Sequence, residues 1–204
     1  MTDPLEHRLL QQAQDGDPDA FEQLQTRLES SIRRFIRRLI GTQDSEDDIV
    51  QSVFIALYYN MRHIDPVENL RPYVFRMVRN RCYDELRRQR RYEIVSLDDE
   101  PRLSFTSASD IDSQPEEAAH WLLLHLEVKE AIDRLPELQR QTLILFAEED
   151  LSYAEIAMVM DTNIGTVKSR LHHAKKTLRR LLRPQTLQVL EAELQQGESD
   201  VRLS

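Results

Sequence analysis

Apolar residues recur along most of this chain at intervals of three and four positions, the spacing that gathers side chains on one face of an α-helix. This period holds over six stretches, which are residues 1–40 with a break at Asp15–Pro18, 44–61, 71–91, 121–135, 137–148 and 151–183. Only four of the 204 residues are glycine, 40% are apolar and 31% are charged, a composition typical of helical globular proteins. The pattern therefore predicts an all-α fold.

The helical period stops between residues 92 and 120. Eight acidic residues and one arginine give this stretch a net charge of −7, and Ser, Thr and Pro fill much of the remainder. Such a composition is typical of a flexible linker. We therefore predict two small helical domains joined by a flexible acidic linker, with residues 1–91 as the N-terminal domain, 92–114 as the linker and 115–183 as the C-terminal domain.

Residues 184–204 form a C-terminal tail beyond the second domain. Leu187, Val189, Leu190 and Leu194 would lie on one short amphipathic helix, which would be marginal in water by itself. One hypothesis is that this helix docks on a partner or on the C-terminal domain. The alternative is a frayed end of the chain.

The stretch 151–183 predicts a helix-turn-helix. Ser152 and Glu155 have the spacing of a capping box at the start of a short first helix. The polar run Asp161–Asn163 ends that helix, and Thr162 or Asn163 can cap the next one. The second helix has a predicted buried face that consists of Ile164, Val167, Leu171, Ala174, Leu178 and Leu181.

The second helix of this motif is strongly basic. Residues 162–183 contain seven Lys and Arg residues and no acidic residue, although the chain as a whole has a net charge of −9. Segregated positive charge indicates a polyanionic partner. Such a helix can enter the major groove, with its first residues at base edges and its later cations at phosphates. The alternative is a solvated basic face on an ordinary helical hairpin.

A second basic helix is predicted over residues 71–91. Eight arginines against Asp84 and Glu85 give it a net charge of +6, and Tyr73, Phe75 and Tyr83 lie among them. Cations mixed with aromatic rings suit unpaired nucleic acid, because an unstacked base can lie on a ring while arginines hold the phosphates. The alternative is that most of the aromatic and apolar side chains of this helix belong to the core.

Several other classes of protein are disfavoured. The chain has no run of eighteen apolar residues and no apolar signal sequence near its start, so we expect a cytoplasmic protein without membrane insertion. Cys82 is the only cysteine and is predicted to be a small buried side chain rather than a redox sensor. The acidic run Asp44–Asp48 lacks the further ligands of a metal site and suits a helix N-terminus. No catalytic cluster or cofactor motif is recognisable, so we expect neither an enzyme nor a cofactor.

In this order the predicted elements resemble an extracytoplasmic-function sigma factor, a small class of the sigma-70 family of bacterial RNA polymerase. Three blocks carry the resemblance, which spans about residues 10–183. They are DSEDDIVQSVFIAL, RPYVFRMVRNRCYDELRRQRR and LPELQRQTLILFAEEDLSYAEIAMVMDTNIGTVKSRLHHAKKTL. The resemblance implies that the chain binds core RNA polymerase and promoter DNA and has no catalytic residue. An anti-sigma factor is a common partner in the family, although no residue here proves one.

The resemblance also implies roles for particular residues. Core polymerase would be bound by Asp48, Gln51, Ser52 and Ile55. The loop 64–69 would form a pocket for a flipped base of the minus-ten element, and that element would be bound by Asp65, Glu68, Asn69, Arg76, Arg79 and Asn80. The minus-thirty-five element would face Thr166, Lys168, Ser169, Arg170 and His173, with Ser152 and Tyr153 near its phosphates. Where Tyr73 stands the family often has Trp, so a stacking role for that position stays open.

Two other functions compete with this interpretation. A stand-alone DNA-binding regulator would use only the helix-turn-helix, and it leaves the basic helix 71–91 and the acidic run before it unexplained. An enzyme that acts on nucleic acid would need a ligand set or a catalytic cluster, which the sequence does not display.

Overall fold

Eight α-helices, followed by a short helical segment at residues 184–189, are present in the residues that the computed structural model describes, which are 3–41, 45–65, 67–93 and 115–189. They are α1 (Pro4–Gln14), α2 (Pro18–Ile40), α3 (Glu46–Asn60), α4 (Leu70–Glu93), α5 (Pro115–Asp133), α6 (Glu137–Ala147), α7 (Tyr153–Val159) and α8 (Ile164–Leu181). No described residue lies in a strand, so the all-α prediction is confirmed. The predicted linker from residue 94 onward and tail residues 190–204 lie outside the described residues, as do Asp44 and Pro66.

Capping residues fix both ends of α2. Asp17 Oδ1 accepts hydrogen bonds from the backbone N–H groups of Asp19 and Ala20 at 3.0 and 3.2 Å. Pro18 is the first residue of α2, and Gly41 ends the helix with a φ of +77°, where a side chain would be strained. These features fix α2 locally, before any packing against its neighbours.

Residue contacts divide the chain into two compact units. The first comprises Met1–Ser107 and Ile144–Val167, and the second comprises Ala108–Leu143 and Lys168–Ser204. The dividing lines fall inside α6 and α8, so they differ from the domain boundaries derived from the sequence. Those boundaries stay a prediction.

The core of the first unit is centred on α4, which contacts α2, α3 and α7. The rings of Phe35 and Phe75 meet edge to face with centroids 5.3 Å apart. Cys82 is buried on the same helix, and burial, assisted by the charge of Glu85, raises the pKa of its thiol to about 12. Its predicted role as a small buried side chain is confirmed. The fully buried side chains include Leu10, Leu24, Leu28, Ile32, Phe35, Ile36, Val53, Leu57, Leu70, Val74, Phe75 and Val78.

Buried carboxylates of the first unit are paired with arginines near the end of α2. Glu46 accepts hydrogen bonds from Arg33 at 3.0 Å and from two nitrogens of Arg37 at 2.8 Å each. Burial opposes ionisation of Glu46, but these hydrogen bonds outweigh it and lower the pKa of the carboxyl group. The bonds attach the first turn of α3 to α2.

A second set of ion pairs involves the turn that follows α6. Arg34 Nε donates to Glu149 at 3.0 Å, and Arg38 pairs with Glu148 at 2.9 Å. Glu149 is fully buried, and burial raises the pKa of its carboxyl group, although the Arg34 bonds act in the opposite direction. The basic end of α2 therefore binds carboxylates of its own chain.

Several details differ from the sequence-based expectations. The polar stretch 62–70, which contains Pro66, predicts a loop, but it overlaps two 3-10 turns, Met61–His63 and Val67–Asn69, and α4 begins at its last residue. The apolar spacing of Ile49, Val53, Ala56, Leu57 and Tyr58 predicts a buried stripe on α3, but Tyr58 is 53% exposed. The apolar patterns of the helices before and after Pro136 likewise predict buried positions at Leu122 and Leu138, but both are exposed.

The second unit contains the buried side chains of Leu124, Ala131, Leu135, Leu143, Leu171, Ala174 and Leu182. The predicted buried stripe of α8 holds at its centre and is wrong at its ends, because Ile164 and Leu181 are 45% and 37% exposed. Ile164 is the first residue of the helix. The helix ends at Leu181, and the next residue, Leu182, is buried in its place.

A carboxylate of α5 holds the chain that leaves α8. Glu127 accepts hydrogen bonds from the backbone N–H of Arg183 at 2.7 Å, from Arg183 Nε at 2.9 Å and from the Thr186 hydroxyl at 2.8 Å. The side-chain and backbone bonds from Arg183 lower the pKa of Glu127 to about 2. Residues 184–189, which follow, are helical. The described part of the predicted tail is therefore attached to the second unit.

Neither a membrane span nor a metal cluster is found in the residues that the structure describes. None of their helices is long and apolar enough to cross a bilayer. No group of three or more His, Cys, Asp and Glu side chains among them is arranged to hold a metal ion.

The Glu127 contacts predict a pH-dependent loss of stability in the variant Glu127→Gln. A carboxyl group whose pKa is lowered from 4.5 to about 2 on folding stabilises the folded chain above about pH 4.5, and this contribution is lost as the pH falls toward 2. The variant should therefore unfold at a lower temperature than the wild type at pH 7. The difference should disappear at the acidic end of this range.

The fluorescence of Trp121, the single tryptophan, reports on α5 directly. Glu130→Gln is the matched control, because Glu130 pairs with Arg134 on an exposed surface and such pairs contribute little. Equal unfolding temperatures for both variants at pH 7 would contradict the role assigned to Glu127.

Candidate functional site

The exposed face of α4 carries the polar residues that were predicted to hold the minus-ten strand. Arg76 and Asn80 are exposed and lie four residues apart, so they stand on one face of the helix. Arg79 is half-buried, and its guanidinium lies over the ring of Tyr83 at 4.8 Å from the centroid. These residues form a polar and aromatic strip opposite the buried side of α4.

Part of the positive charge of α4 is held by internal ion pairs. Arg87 pairs with Asp84 and Arg88 with Glu85, each three residues away. Arg71 binds Glu6 of α1 through two hydrogen bonds of 2.9 Å. The net charge of +6 already subtracts Asp84 and Glu85, so only the pair with Glu6 of α1 lowers the charge that a nucleic acid would meet on this helix, by one further unit.

The turn before α4 is fixed by buried side chains on either side of its exposed residues. Met61 and Ile64 are 6% and 3% exposed. Asp65 and Glu68 are exposed and Asn69 is half-buried, so the structure brings these three predicted residues close to the N-terminus of α4. Gln14 of α1 donates from Nε2 to the backbone carbonyls of Met61 at 2.7 Å and Ile64 at 3.1 Å. Sequence reasoning missed Gln14, because its partners are backbone atoms about fifty positions away.

The four residues predicted to bind polymerase share one face of α3. Asp48 and Gln51 are exposed, Ser52 is half-buried and donates to the carbonyl of Ile49, and Ile55 is 51% exposed. Their spacing of three and four positions places them in a continuous row.

Two tyrosines extend this row beyond the residues that the sequence suggested. Tyr58 and Tyr59 are 53% and 75% exposed, and their rings meet edge to face. Exposed apolar side chains in a row are typical of protein interfaces. Both tyrosines are visible in the sequence, but the apolar spacing of α3 predicts a buried Tyr58.

The helix-turn-helix begins and turns as its capping residues predict. The Ser152 hydroxyl accepts from the N–H of Glu155 at 3.3 Å, and the Glu155 carboxylate accepts from the N–H of Ser152 at 2.8 Å, which confirms the capping box. Asp161 has a φ of +49° in the turn. Of the two capping candidates for α8, Asn163 accepts from the backbone N–H of Thr166 at 2.8 Å and from its hydroxyl at 3.1 Å.

The residues predicted to face the minus-thirty-five element do not all have the same exposure. Along α8, Lys168, Ser169 and His173 are exposed and Thr166 is half-buried. Arg170 lies at the edge of the exposed face: it is half-buried, and its Nη1 is buried without a hydrogen-bond partner among the described residues. Before the turn, Ser152 is exposed, and Tyr153 is 37% exposed with its ring 5.5 Å from that of Phe146.

Family models match two separate parts of the chain. The model of sigma-70 region 2 matches residues 24–92, and the model of sigma-70 region 4 matches residues 125–178. The first match contains the exposed faces of α3 and α4, and the second contains α7 and α8 as far as Leu178.

Curated relatives match over most of their length. The chain is 34% identical over 152 residues to the ECF RNA polymerase sigma factor EcfG of Rhodopseudomonas palustris, which is 74% of this chain and 79% of the relative. It is 31% identical over 184 residues to the RNA polymerase sigma factor NccH of Alcaligenes xylosoxydans xylosoxydans, which is 89% of this chain and 97% of the relative.

Two solved structures share the fold. CnrH in complex with the cytosolic domain of CnrY has a TM-score of 0.62 and 23% identity, over 87% of this chain and 96% of that one. The sigma factor RpoE in complex with the anti-sigma factor NepR from Bartonella quintana has a TM-score of 0.64 and 23% identity, over 79% of this chain and 95% of that one.

The capping role of Asn163 predicts a local effect at the start of α8. Asn163→Ala removes the acceptor for the Thr166 N–H and should cost about 1 kcal/mol of stability. Amide hydrogen exchange at residues 164–168 should become faster in this variant. Asn163→Ser keeps a capping oxygen and should exchange like the wild type, so equal exchange in the Ala and Ser variants would contradict the assignment.

Proposed function

The chain belongs to the extracytoplasmic-function class of the sigma-70 family of RNA polymerase sigma factors, and on this basis we propose which of its surfaces bind polymerase and DNA. As a sigma factor it binds core RNA polymerase, directs it to specific promoters and promotes strand opening to initiate transcription. The observation that carries this conclusion is the occurrence of the region 2 and region 4 matches, in this order, on one chain.

The proposed domains follow the two matches. Residues 1–91 form the region 2 domain, 92–114 the acidic linker, 115–183 the region 4 domain and 184–204 the tail. The matched ranges 24–92 and 125–178 support the two domains, and the family resemblance supports a linker that threads toward the polymerase channels. The attachment of Arg183 and Thr186 to Glu127 supports a tail that begins on the region 4 domain.

The exposed face of α3 binds core polymerase in this proposal. Asp48, Gln51, Ser52 and Ile55 form its row, and Tyr58 and Tyr59 extend it. A row that combines apolar and polar side chains suits a protein partner better than DNA, because it offers area to bury and carries no excess positive charge.

The strip on α4 and the turn before it bind the opened minus-ten element. Arg76 and Arg79 contact phosphates, and Asn80 has an amide that can both donate to and accept from a base or the backbone. Asp65, Glu68 and Asn69 stand beside them and line the site of a flipped base. The carboxylates can accept hydrogen bonds from the amino groups of a base, and they repel phosphates. In this assignment the acidic residues of the turn therefore recognise the base, and the arginines of α4 bind the backbone of the strand.

The exposed face of α8 reads the duplex minus-thirty-five element. Lys168, Ser169 and His173 are exposed on it, Thr166 stands at its start, and Arg170 lies at its edge. Ser152 and Tyr153, at the start of α7, contact phosphates. Each good bidentate base contact would supply about 1–3 kcal/mol of discrimination.

Three further assignments complete the proposal. The protein is a non-catalytic initiation factor, and it acts in the cytoplasm, where its polymerase is found. An anti-sigma factor is a further proposed partner, which is supported by a solved structure of the same fold that contains such a partner. A stand-alone regulator is disfavoured because region 2 would then have no role, and an enzyme is disfavoured because neither matched family region is catalytic.

Strand opening provides the decisive test of this function. Purified core polymerase with the wild-type chain should initiate at defined sites on genomic fragments, and permanganate should modify thymines near each start. Asn80→Ala should reduce this reactivity while it spares binding to the closed duplex. Gln23→Ala, at an exposed glutamine of α2, is the control. Initiation by core polymerase that does not require the chain would contradict the function, and full reactivity in Asn80→Ala would contradict its role.

The polymerase face predicts a separate defect. Ile55→Lys places a charge in the centre of the row on α3, and it should weaken association with core polymerase by at least about tenfold. Binding is measured with labelled chain and core enzyme without DNA. Gln23→Lys introduces the same charge on α2 and should bind like the wild type. Equal affinities of the Ile55 and Gln23 variants would exclude this face.

A further inference from the structure

Helix α1 lies outside the part of the chain that the region 2 model matches, since that match begins at residue 24. It nevertheless contacts both 3-10 turns between α3 and α4. Leu9, Leu10 and Ala13 are buried on its inner side. Helix α1 therefore packs against the turn to which the proposed function assigns the binding of a flipped base.

Gln14, the last residue of α1, holds this turn through its backbone. Its Nε2 donates to the carbonyl oxygens of Met61 at 2.7 Å and Ile64 at 3.1 Å. Met61 O also accepts the N–H of Ile64 at 3.0 Å, which closes the turn. One amide group therefore fixes the direction of two carbonyls in segment 61–65.

A second contact attaches α1 beyond the other end of the turn. Glu6 is 2% exposed, and both of its oxygens accept hydrogen bonds of 2.9 Å from Arg71 in the first turn of α4. A bidentate pair of this kind fixes orientation as well as distance. Gln14 and Glu6 thus bind the chain at Met61 and at Arg71, and the intervening residues have both ends fixed.

The orientation of the exposed side chains of segment 61–65 depends on the contacts of Gln14 and Glu6. Arg62, His63 and Asp65 point to solvent, whereas Met61 and Ile64 are buried. If the Gln14 donor is removed, the Met61 and Ile64 carbonyls lose a partner and the turn can reorient toward water. A pocket that selects a base must hold its polar groups to within about 0.5 Å, so such a reorientation would reduce selectivity before it abolished binding.

We propose that Gln14 is a positioning residue for base selection in the minus-ten element, acting through the Met61 and Ile64 carbonyls rather than by contact with DNA. The inference rests on the proposed function of the turn. It means that α1, which lies outside the region 2 match, contributes to promoter specificity.

The test uses holoenzyme reconstituted from the full chain and purified core polymerase. The probe is a pool of single-stranded DNA with randomised positions, and bound molecules are recovered and sequenced. Gln14→Ala should reduce the preference for the favoured base at one position or more by about three- to tenfold, the effect of losing one or two hydrogen bonds. Total binding of the pool and affinity for core polymerase should change by less than about twofold, because phosphate contacts and α3 are untouched.

Two substitutions with side chains of similar length distinguish a positioning role of Gln14 from a general loss of stability. Gln14→Lys retains a donor and should recover part of the base preference, whereas Gln14→Glu presents acceptors to both carbonyls and should select no better than Gln14→Ala. Gln12→Ala, at an exposed position of the same helix, should behave like the wild type. The Lys and Glu comparison stays informative even if the Ala variant unfolds at a lower temperature.

The possible outcomes distinguish this inference from the proposed function. A wild-type holoenzyme that opens promoters, together with an unchanged base preference in Gln14→Ala, would overturn the inference alone. The same conclusion follows if Lys and Glu at this position lower binding equally for every sequence, since that is the behaviour of a purely structural residue. A wild-type holoenzyme that neither binds the pool nor opens DNA would contradict the proposed function, and the inference with it.

Discussion

Helix α4 must be part of the core on one side and a polar surface on the other, and the rest of the first unit is arranged by this requirement. Val74, Phe75 and Val78 are fully buried, whereas Arg76, between them in sequence, and Asn80, two residues after Val78, are exposed. The close-packed core on one side of such a helix holds its backbone in place, and this limits the movement of the side chains on the exposed side. The proposed strand-binding strip is therefore preorganised, which a loop with the same residues could not achieve as easily.

Arginine in this chain has two different uses, and only the structure separates them. At the end of α2, Arg33 and Arg37 share Glu46, and Arg34 binds Glu149. Each carboxylate is buried, and a buried carboxylate without such a partner would be strongly destabilising. These arginines complete the fold. The positive charge of α8 is not offset by any acidic residue on its own helix, and segregated positive charge attracts a polyanion.

Local features of the chain could be predicted from the sequence, because they depend on neighbours a few positions apart. The capping box at Ser152 and the start of α2 at Asp17 are of this kind, as is the apolar face of α8 at Val167 and Leu171. The ends of the apolar face of α8 were predicted wrongly, because the spacing of apolar residues does not show where the helix ceases to pack against its neighbours. Ile164 and Leu181 keep the spacing but lie beyond the packed part of the helix.

Contacts between distant parts of the chain could not be predicted in this way. Gln14 gives no signal in a local pattern, since a glutamine at the end of a helix is ordinarily a solvated side chain. Its partners are backbone carbonyls, which every sequence provides, so no pairing of residue types identifies them. The pair of Glu6 and Arg71 is recognisable only after α1 and α4 are placed together. The candidate site was thus predictable as a set of exposed residues, but its supporting contacts were not.

The division of charge also affects how selective the protein can be. Binding to DNA of any sequence grows with the number of phosphates that cations neutralise. This chain is acidic overall, and ion pairs within it reduce the cations available on α2 and α4, so each remaining positive surface would bind weakly by itself. When a polymerase holds both surfaces on the same duplex, the second contact becomes intramolecular and adds affinity without new charge. Weak separate surfaces therefore favour promoters that satisfy both over the excess of other DNA.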